Sequence, residues 1–427
     1  MNIEQLYSIY RQYPSVQTDT RKLKANDIFF ALKGDNFNGN VYAEKALELG
    51  AAFAVIDDAA YFTVPDKMML VDDVLHALQQ LALHHRNQFN IPFLAITGTN
   101  GKTTTKELVK AALSASFKTY ATQGNLNNHI GVPLTILSIG DDVEVAVIEM
   151  GANHQHEIES YCLIARPTHG IITNIGKAHL EGFGSEEGVK KAKGELFDYL
   201  RANNGAVFIC TDHPYLVDMS RGIKTIITYG KDHADYTGQP VADAAFLGVQ
   251  PTGKQEIGFI QTNLVGAYNF PNVMAAVAVA HHFGVPSEKI APAIAAYVPA
   301  NNRSQIIQQG SNTIIMDAYN ANPSSMKAAI ENFAGITAPQ KVLLLGAMME
   351  LGADSVKEHQ AIADLLQKAH WHAVVLVGGD FSKIQHPYIY LEDAAAATAW
   401  LQQQQFTNTY ILVKGSRSVG MEKVIQA

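Results

Sequence analysis

Cysteine and tryptophan are scarce in this chain, with two of each among 427 residues. Cys162 and Cys210 sit far apart and in no metal-ligand spacing, so neither a disulfide framework nor a cysteine-built zinc site is available. They are expected to be two buried, reduced thiols. Long apolar runs are missing too. No segment approaches the roughly 20 apolar residues of a membrane span, and Met1–Tyr13 has no extended apolar core of the kind that marks an export signal. Positive charge is not in excess: 32 Lys and Arg against 40 Asp and Glu give a net charge of -8. That argues against a nucleic-acid partner held by phosphate neutralisation. Internal repeats are absent, and the glutamine run Gln402–Gln405 is short enough to be an exposed helix face. The expectation is a cytoplasmic protein, monomeric and without a membrane span.

What the chain does have is apolar material, 47% hydrophobic against 17% charged residues, enough to bury sizeable cores in two or three domains. Its most informative stretch is Leu94–Thr105, LAITGTNGKTTT. A short apolar run reads as a buried strand, a glycine-bracketed turn follows, and Leu108, Val109, Ala112 and Leu113 then recur at helical spacing. Strand, glycine loop, Lys-Thr and helix form a phosphate cradle. Gly98 and Gly101 let backbone N–H groups of Thr99, Asn100 and their neighbours approach an anion, and the start of the helix adds positive potential. Lys102 is placed to reach the outer phosphates, and the Thr103 hydroxyl, followed by Thr104, to hold magnesium. Only two residues separate Gly98 from Gly101, fewer than in the common P-loop. ATP with Mg2+ is the expected occupant.

Strands and helices alternate along the whole chain, the pattern of an α/β protein. Three domains are expected, a small α/β domain over 1–87, a P-loop domain with a parallel sheet over 88–297, and a Rossmann-like domain over 298–427. In the first, strands are expected at Asp27–Leu32, Ala52–Ile56 and Met68–Val71, with helices at Tyr42–Leu49 and Val74–Asn87. In the second, the strand Val143–Ile148 runs into Glu149, and Gly170–Asn174 leads towards His179. Ligands of open α/β sheets bind beyond the carboxyl ends of strands, which makes Glu149 a candidate magnesium ligand and singles out His179. Further strands are expected at Ala206–Ile209, Thr225–Tyr229, Ala244–Val249 and Glu256–Ile260. A helix follows with Pro271 in its first turn, and Asn269 and Asn272 are expected at its exposed start with free amides. In the third, strands are expected at Thr313–Met316, Lys341–Leu345, Ala373–Val377 and Tyr410–Val413, Asn322-Pro323 opens a helix, and Ser355 with Glu358 is expected to form a capping box.

These motifs together resemble the Mur ligases, the ATP-dependent amide-forming enzymes of bacterial peptidoglycan precursor synthesis. TGTNGKTT (Thr97–Thr104), TQGNLNNHIGVP (Thr122–Pro133), EMGANH (Glu149–His154) and NIGKAHLEGFGS (Asn174–Ser185) follow in the family's order, and the likeness spans the whole chain. YNANP (Tyr319–Pro323) and GAMMELG (Gly346–Gly352) look most like the branch that adds D-alanyl-D-alanine to UDP-N-acetylmuramoyl-tripeptide, although that branch more often has Asp where Ala347 stands. The Asn-Pro-Arg motif of the diamino-acid-adding branch is not found.

The resemblance implies roles. Lys193 matches a lysine N-carboxylated by carbon dioxide, which turns a cation into a magnesium ligand; Glu149 and His179 match positions around the second magnesium. Asn269 and Asn272 match the helix start near adenine. Arg303, Asp317, Tyr319 and Asn320 match third-domain residues that close over the nucleotide. Thr18, Asp19, Thr20 and Arg21 resemble the uridine segment, and Asn127 and Asn128 the sugar-nucleotide region. Lys414, Ser416 and Arg417 match a third-domain loop. The implied chemistry is carboxylate activation by ATP through an acyl phosphate, which needs no protein nucleophile; no Ser-His-Asp or Cys-His arrangement is found. The alternatives are the diamino-acid-adding branch, a folylpolyglutamate synthase, or a nucleotide-binding module without catalysis; a GTPase would need an Asn-Lys-x-Asp motif that is not found.

Overall fold

The computed structural model describes residues 2–242, 246–253, 255–300 and 302–426. Its architecture is three α/β units, each around its own sheet. In the first, β1 (Val16–Gln17), β2 (Ile28–Phe30), β5 (Phe53–Ile56) and β6 (Met68–Leu70) pair in that order, all parallel. A two-strand hairpin, β3 (Lys33–Gly34) with β4 (Phe37–Asn38), projects beside them. The helix Val74–Arg86 packs this unit on the next through Arg86. Its buried guanidinium lies 3.7 Å from the centre of the Phe93 ring and donates to the carbonyls of Ala165 (2.7 Å), Phe89 (2.9 Å) and Arg166 (2.9 Å).

The central sheet has nine strands. Its parallel part runs β8 (Thr119–Ala121), β9 (Val145–Glu149), β7 (Phe93–Thr97), β10 (His169–Ile172), β11 (Ala206–Cys210), β12 (Thr225–Gly230) and β13 (Tyr236–Ala242). β14 (Phe246–Pro251) and β15 (Ile260–Val265) continue it antiparallel. Every residue of β7, β9 and β11 is buried. Helices cover both faces of such strands, so they read as unbroken apolar runs in the sequence. Cys162 and Cys210 are buried free thiols. The strand expected at Glu256–Ile260 instead starts at Ile260. Glu256 adopts φ 52, outside extended backbone, and burial then alternates along Ile260–Val265. Of the strand expected from Ala244, the first two residues lie outside the described residues.

The third sheet orders β16 (Gln305–Gln309), β17 (Asn312–Asp317), β21 (Thr409–Lys414), β18 (Gln340–Gly346), β19 (Ala373–Val377) and β20 (Ile389–Leu391). All are parallel except the edge strand β16. The helix Pro323–Gly335 opens on a capping box between Asn322 and Ser325. The box expected between Ser355 and Glu358 does not form. Asp354 is the N-cap of Ser355–Leu366, and the Glu358 carboxylate turns to Lys177 of the central unit, 2.7 Å away. A contact between domains outbids the local cap. Gln402–Gln405 is exposed, as expected. Among the described residues no helix is long and apolar enough to cross a membrane.

One carboxylate outside the cleft carries a stability prediction. Glu195 accepts from the backbone N–H groups of His156 (2.6 Å) and Glu159 (3.0 Å), closing the start of the helix Glu157–Ala165 from another helix. His156 caps that helix without a side-chain bond to its backbone, its ring pairing instead with the Glu159 carboxylate at 2.9 Å. Glu195→Ala is expected to lower unfolding stability by about 1 kcal/mol; denaturant titration reads it directly.

Candidate active site

Two backbone requirements build the loop after β7. Gly98 has φ 138, and a Cβ there would lie 2.1 Å from Thr173 Oγ1; Gly101 has φ 79, and its Cβ would lie 2.8 Å from Asn272 Oδ1. Only glycine meets both conditions. Asn174, just past β10, fixes the loop: its carbonyl accepts from Thr99 N (2.9 Å) and its side-chain oxygen from Asn100 N (3.0 Å). The helix Lys102–Leu113 begins with Gly101 as N-cap and no side-chain cap. Its first-turn N–H groups are therefore left for an anion. Lys102 folds back, donating to the carbonyls of Gly98 (2.7 Å) and Thr99 (3.0 Å). Burial pushes its ammonium down to about 8, with nearby Arg303 adding to the shift and Glu149 opposing it.

Glu149 closes β9 beside this loop. Its Oε1 accepts from Thr103 Oγ1 (3.0 Å) and Asn127 Nδ2 (2.8 Å), while its buried Oε2 has no hydrogen-bond partner among the described residues. The fully buried Lys106 ammonium stands 4.0 Å from that oxygen. A bare carboxylate oxygen beside a threonine hydroxyl is a hard oxygen donor set, which suits magnesium completed by phosphate and water. Among the described residues no three His, Cys, Asp or Glu side chains gather into a ready metal cluster. His179 lines the same cleft, held left-handed at φ 50, but its Nδ1 pairs with the carboxylate of Glu350 from the third unit. Lys193 is buried outside the cleft lining, with Nζ donating to the Ala152 carbonyl at 3.1 Å. Burial, with repulsion from Lys102 next, drives its pKa well below the ordinary lysine value.

The third unit closes the cleft. Asn322 Nδ2 donates to Asn100 Oδ1 at 2.8 Å, and Lys177 pairs with Glu358. Arg303 stacks over Tyr319, 3.6 Å from the ring centre, and Asp317 holds Lys414 at 2.6 Å. Lys414 also donates to the Asn320 carbonyl at 3.3 Å. The cleft holds about 810 Å³, and Arg303, Asp317, Tyr319 and Asn320 all face it together with Thr99–Thr104.

Asn269 and Asn272 line this space, but their amides are not free. Both residues are buried. Asn269 Nδ2 donates to the Val265 carbonyl (2.9 Å), Asn272 Nδ2 to Asn269 Oδ1 (2.9 Å), and Asn272 Oδ1 accepts from Thr105 (3.1 Å). This string braces the loop helix against the next helix, so the expectation of an exposed helix start is corrected. Asn127 is likewise committed to Glu149, and Asn128 Oδ1 caps the helix Gly131–Leu137 by accepting from Gly131 N at 2.8 Å. Both face the cleft. Thr18, Asp19, Thr20 and Arg21 do not; they lie on the first unit, where Asp19 pairs with Arg21 at 2.8 Å. The sequence reading missed Asn174 and Asn322 as loop-fixing residues. Only their places after β10 and before Pro323 could have signalled them.

The chain matches three family models, described as the Mur ligase family catalytic domain over residues 12–86, the Mur ligase middle domain over 96–280, and the Mur ligase glutamate ligase domain over 302–417. The UDP-N-acetylmuramoyl-tripeptide–D-alanyl-D-alanine ligase of Escherichia coli is 35% identical over 97% of this chain and 93% of its own. The chain belongs to the Mur ligase family. A second Mur ligase of that name, from Bacillus subtilis, is 39% identical over 79% of this chain and 74% of its own. The crystal structure of MurF from Acinetobacter baumannii superposes with a TM-score of 0.88 at 30% identity, covering 96% of this chain and 92% of that one. The fold is shared as well by the ADP complex of a MurF ligase from Thermotoga maritima, TM-score 0.86 at 24% identity over 96% of each chain.

Proposed function

We propose that this Mur ligase joins D-alanyl-D-alanine to UDP-N-acetylmuramoyl-tripeptide at the expense of ATP, releasing ADP and phosphate. The chain-long likeness to ligases of that name carries the reading. The cleft supports it, since a phosphate loop and a carboxylate with a bare oxygen line the same cleft. We take 1–87, 88–297 and 298–427 as the three domains, with the first holding the uridine end near Thr18–Arg21.

A carboxylate is a poor acyl donor. Its oxygen attacks the γ-phosphorus of ATP, ADP leaves, and the carboxylate becomes an acyl phosphate. Such transfer depends on positioning and charge neutralisation, which Lys102 and the first-turn N–H groups are placed to supply. The dipeptide amine then attacks the acyl carbon, loses a proton, and phosphate departs from the tetrahedral adduct. Thr103 and Glu149 would hold magnesium, which when bound neutralises phosphate charge. Lys193, buried and with its cationic form disfavoured, offers a neutral amine able to attack carbon dioxide and lose a proton, giving an N-carboxylate. His179 would join the metal set by giving up Glu350. Further closure of the cleft around its substrates would exclude the water that would hydrolyse the acyl phosphate.

An isotope experiment tests the sequence of bonds. With ¹⁸O in the tripeptide's reacting carboxylate, one labelled oxygen should appear in the released phosphate. Unlabelled phosphate accompanying amide formation would rule out the acyl phosphate.

A further inference from the structure

The Lys106 ammonium stands 4.0 Å from the bare oxygen of Glu149 and takes no part in the phosphate chemistry. Lys106 lies on the helix Lys102–Leu113, which packs against β8 and β9, and it does not line the cleft. Its side chain is 1% exposed, so its charge needs partners inside the protein. Nζ donates to the Thr122 carbonyl at 2.6 Å and pairs with Glu107 at 2.7 Å. The Thr122 hydroxyl in turn accepts from Glu149 N at 2.9 Å. Thr122 therefore holds the ammonium by its carbonyl and the end of β9 by its hydroxyl. The two charges are kept close without touching.

At 4.0 Å the pair is beyond hydrogen-bond reach, so the lone pairs of Glu149 Oε2 stay open. Attraction across that gap still compensates the buried carboxylate, because Coulomb energy falls only as the inverse of distance. Glu107 is 33% exposed and its charge is screened by water, which leaves the field of Lys106 at Oε2 largely uncancelled. Lys102 also feels Glu149, but the loop carbonyls that hold it can be exchanged for phosphate. Lys106 is walled in. We propose that Lys106 is a resident cation that disfavours a divalent ion on Glu149 until the phosphates of ATP are bound, so that magnesium enters with the nucleotide. Before ATP binds, its charge stands in for the metal's behind the carboxylate and opposes a further positive charge on the same oxygen. The negative charge of the phosphates reverses that balance. Lys106 is thus a positioning residue that acts through Glu149.

This role rests on the reading that Thr103 and Glu149 hold magnesium, and the test separates the two. Manganese replaces magnesium, and the free ion is counted by its electron paramagnetic resonance signal, with and without a non-hydrolysable ATP analogue. The proteins are the wild type, Lys106→Met, Lys106→Arg, Glu149→Gln and the double variant Lys106→Met with Glu149→Gln. Without nucleotide, Lys106→Met should bind Mn2+ at least about tenfold more tightly than the wild type. Lys106→Arg, which keeps the charge, should bind as weakly as the wild type. With the analogue present, the gain from Lys106→Met should shrink below about threefold. The double variant should lose the gain altogether. A lysine needed only for folding would not give this pattern, because damage to the site weakens metal binding. Thermal melting checks the fold, and Lys106→Gln, which keeps a donor for the Thr122 carbonyl, serves if Lys106→Met does not fold. The role is overturned if removing the charge leaves Mn2+ binding unchanged or weaker without nucleotide, or if the gain survives Glu149→Gln. If Glu149→Gln binds Mn2+ with the analogue as tightly as the wild type, the magnesium reading itself fails, and the role of Lys106 with it.

Discussion

Lys102→Ala is expected to lower kcat by about three orders of magnitude, with no recovery on adding amines or carboxylic acids. The structure shows why so much rests on one group. The Lys102 ammonium is held by the Gly98 and Thr99 carbonyls at 2.7 and 3.0 Å, at the mouth of the helix Lys102–Leu113. Those are neutral acceptors in a site that already pulls its pKa down to about 8. A phosphate oxygen offers a full charge in their place, so the cation is better satisfied by the nucleotide than by the loop. Its worth rises as negative charge spreads over the transferring phosphoryl group. Rapid-quench measurement of the first turnover at saturating ATP checks this, with thermal melting to confirm folding. A loss below about tenfold would mean that the loop positions phosphate without Lys102.

Lys193→Ala is expected to cost about a hundredfold or more, but in a different way. The lysine is buried, its amine donates to the Ala152 carbonyl and lies over the Phe183 ring, and burial works against its cation. An N-carboxylate on that amine would place negative charge beside Ala152, a residue of the cleft lining. Truncation to alanine leaves a space that formate or acetate can enter. Activity should return in part as their concentration rises, while Lys102→Ala stays inactive under the same conditions. Normal turnover by Lys193→Ala would falsify the carboxylated-lysine assignment, and inactivity without rescue would leave the residue a structural one.

The parts legible in the sequence are those where one local rule decides. β7, β9 and β11 are buried on both faces and therefore apolar throughout, so they stood out as strands. Gly98 and Gly101 punctuate the loop because a side chain at either would collide. Pro323 after Asn322 marked a helix start, and the capping box with Ser325 forms there. Elements decided by partners far away in sequence were not legible. β13, β16 and β20 are extensions or edges of their sheets, with no unbroken apolar run to announce them. Glu358 serves Lys177 and not its own helix, 181 residues apart in sequence. Asn269 and Asn272 had the residue types of a ligand site, yet burial against Thr105 committed their amides to the loop. His179 looked like a free ligand because its partner, Glu350, comes from another domain.

The central claim is the bond that is made, and phosphate release tests it most directly. The protein is mixed with ATP, magnesium and UDP-N-acetylmuramoyl-tripeptide, and D-alanyl-D-alanine, lysine or diaminopimelate is offered as acceptor. Release that depends on the dipeptide, with a pentapeptide product by mass, is the predicted result. No release with the dipeptide, alongside turnover of a free diamino acid on the dipeptide precursor, would contradict it and move the chain to the neighbouring branch of the family.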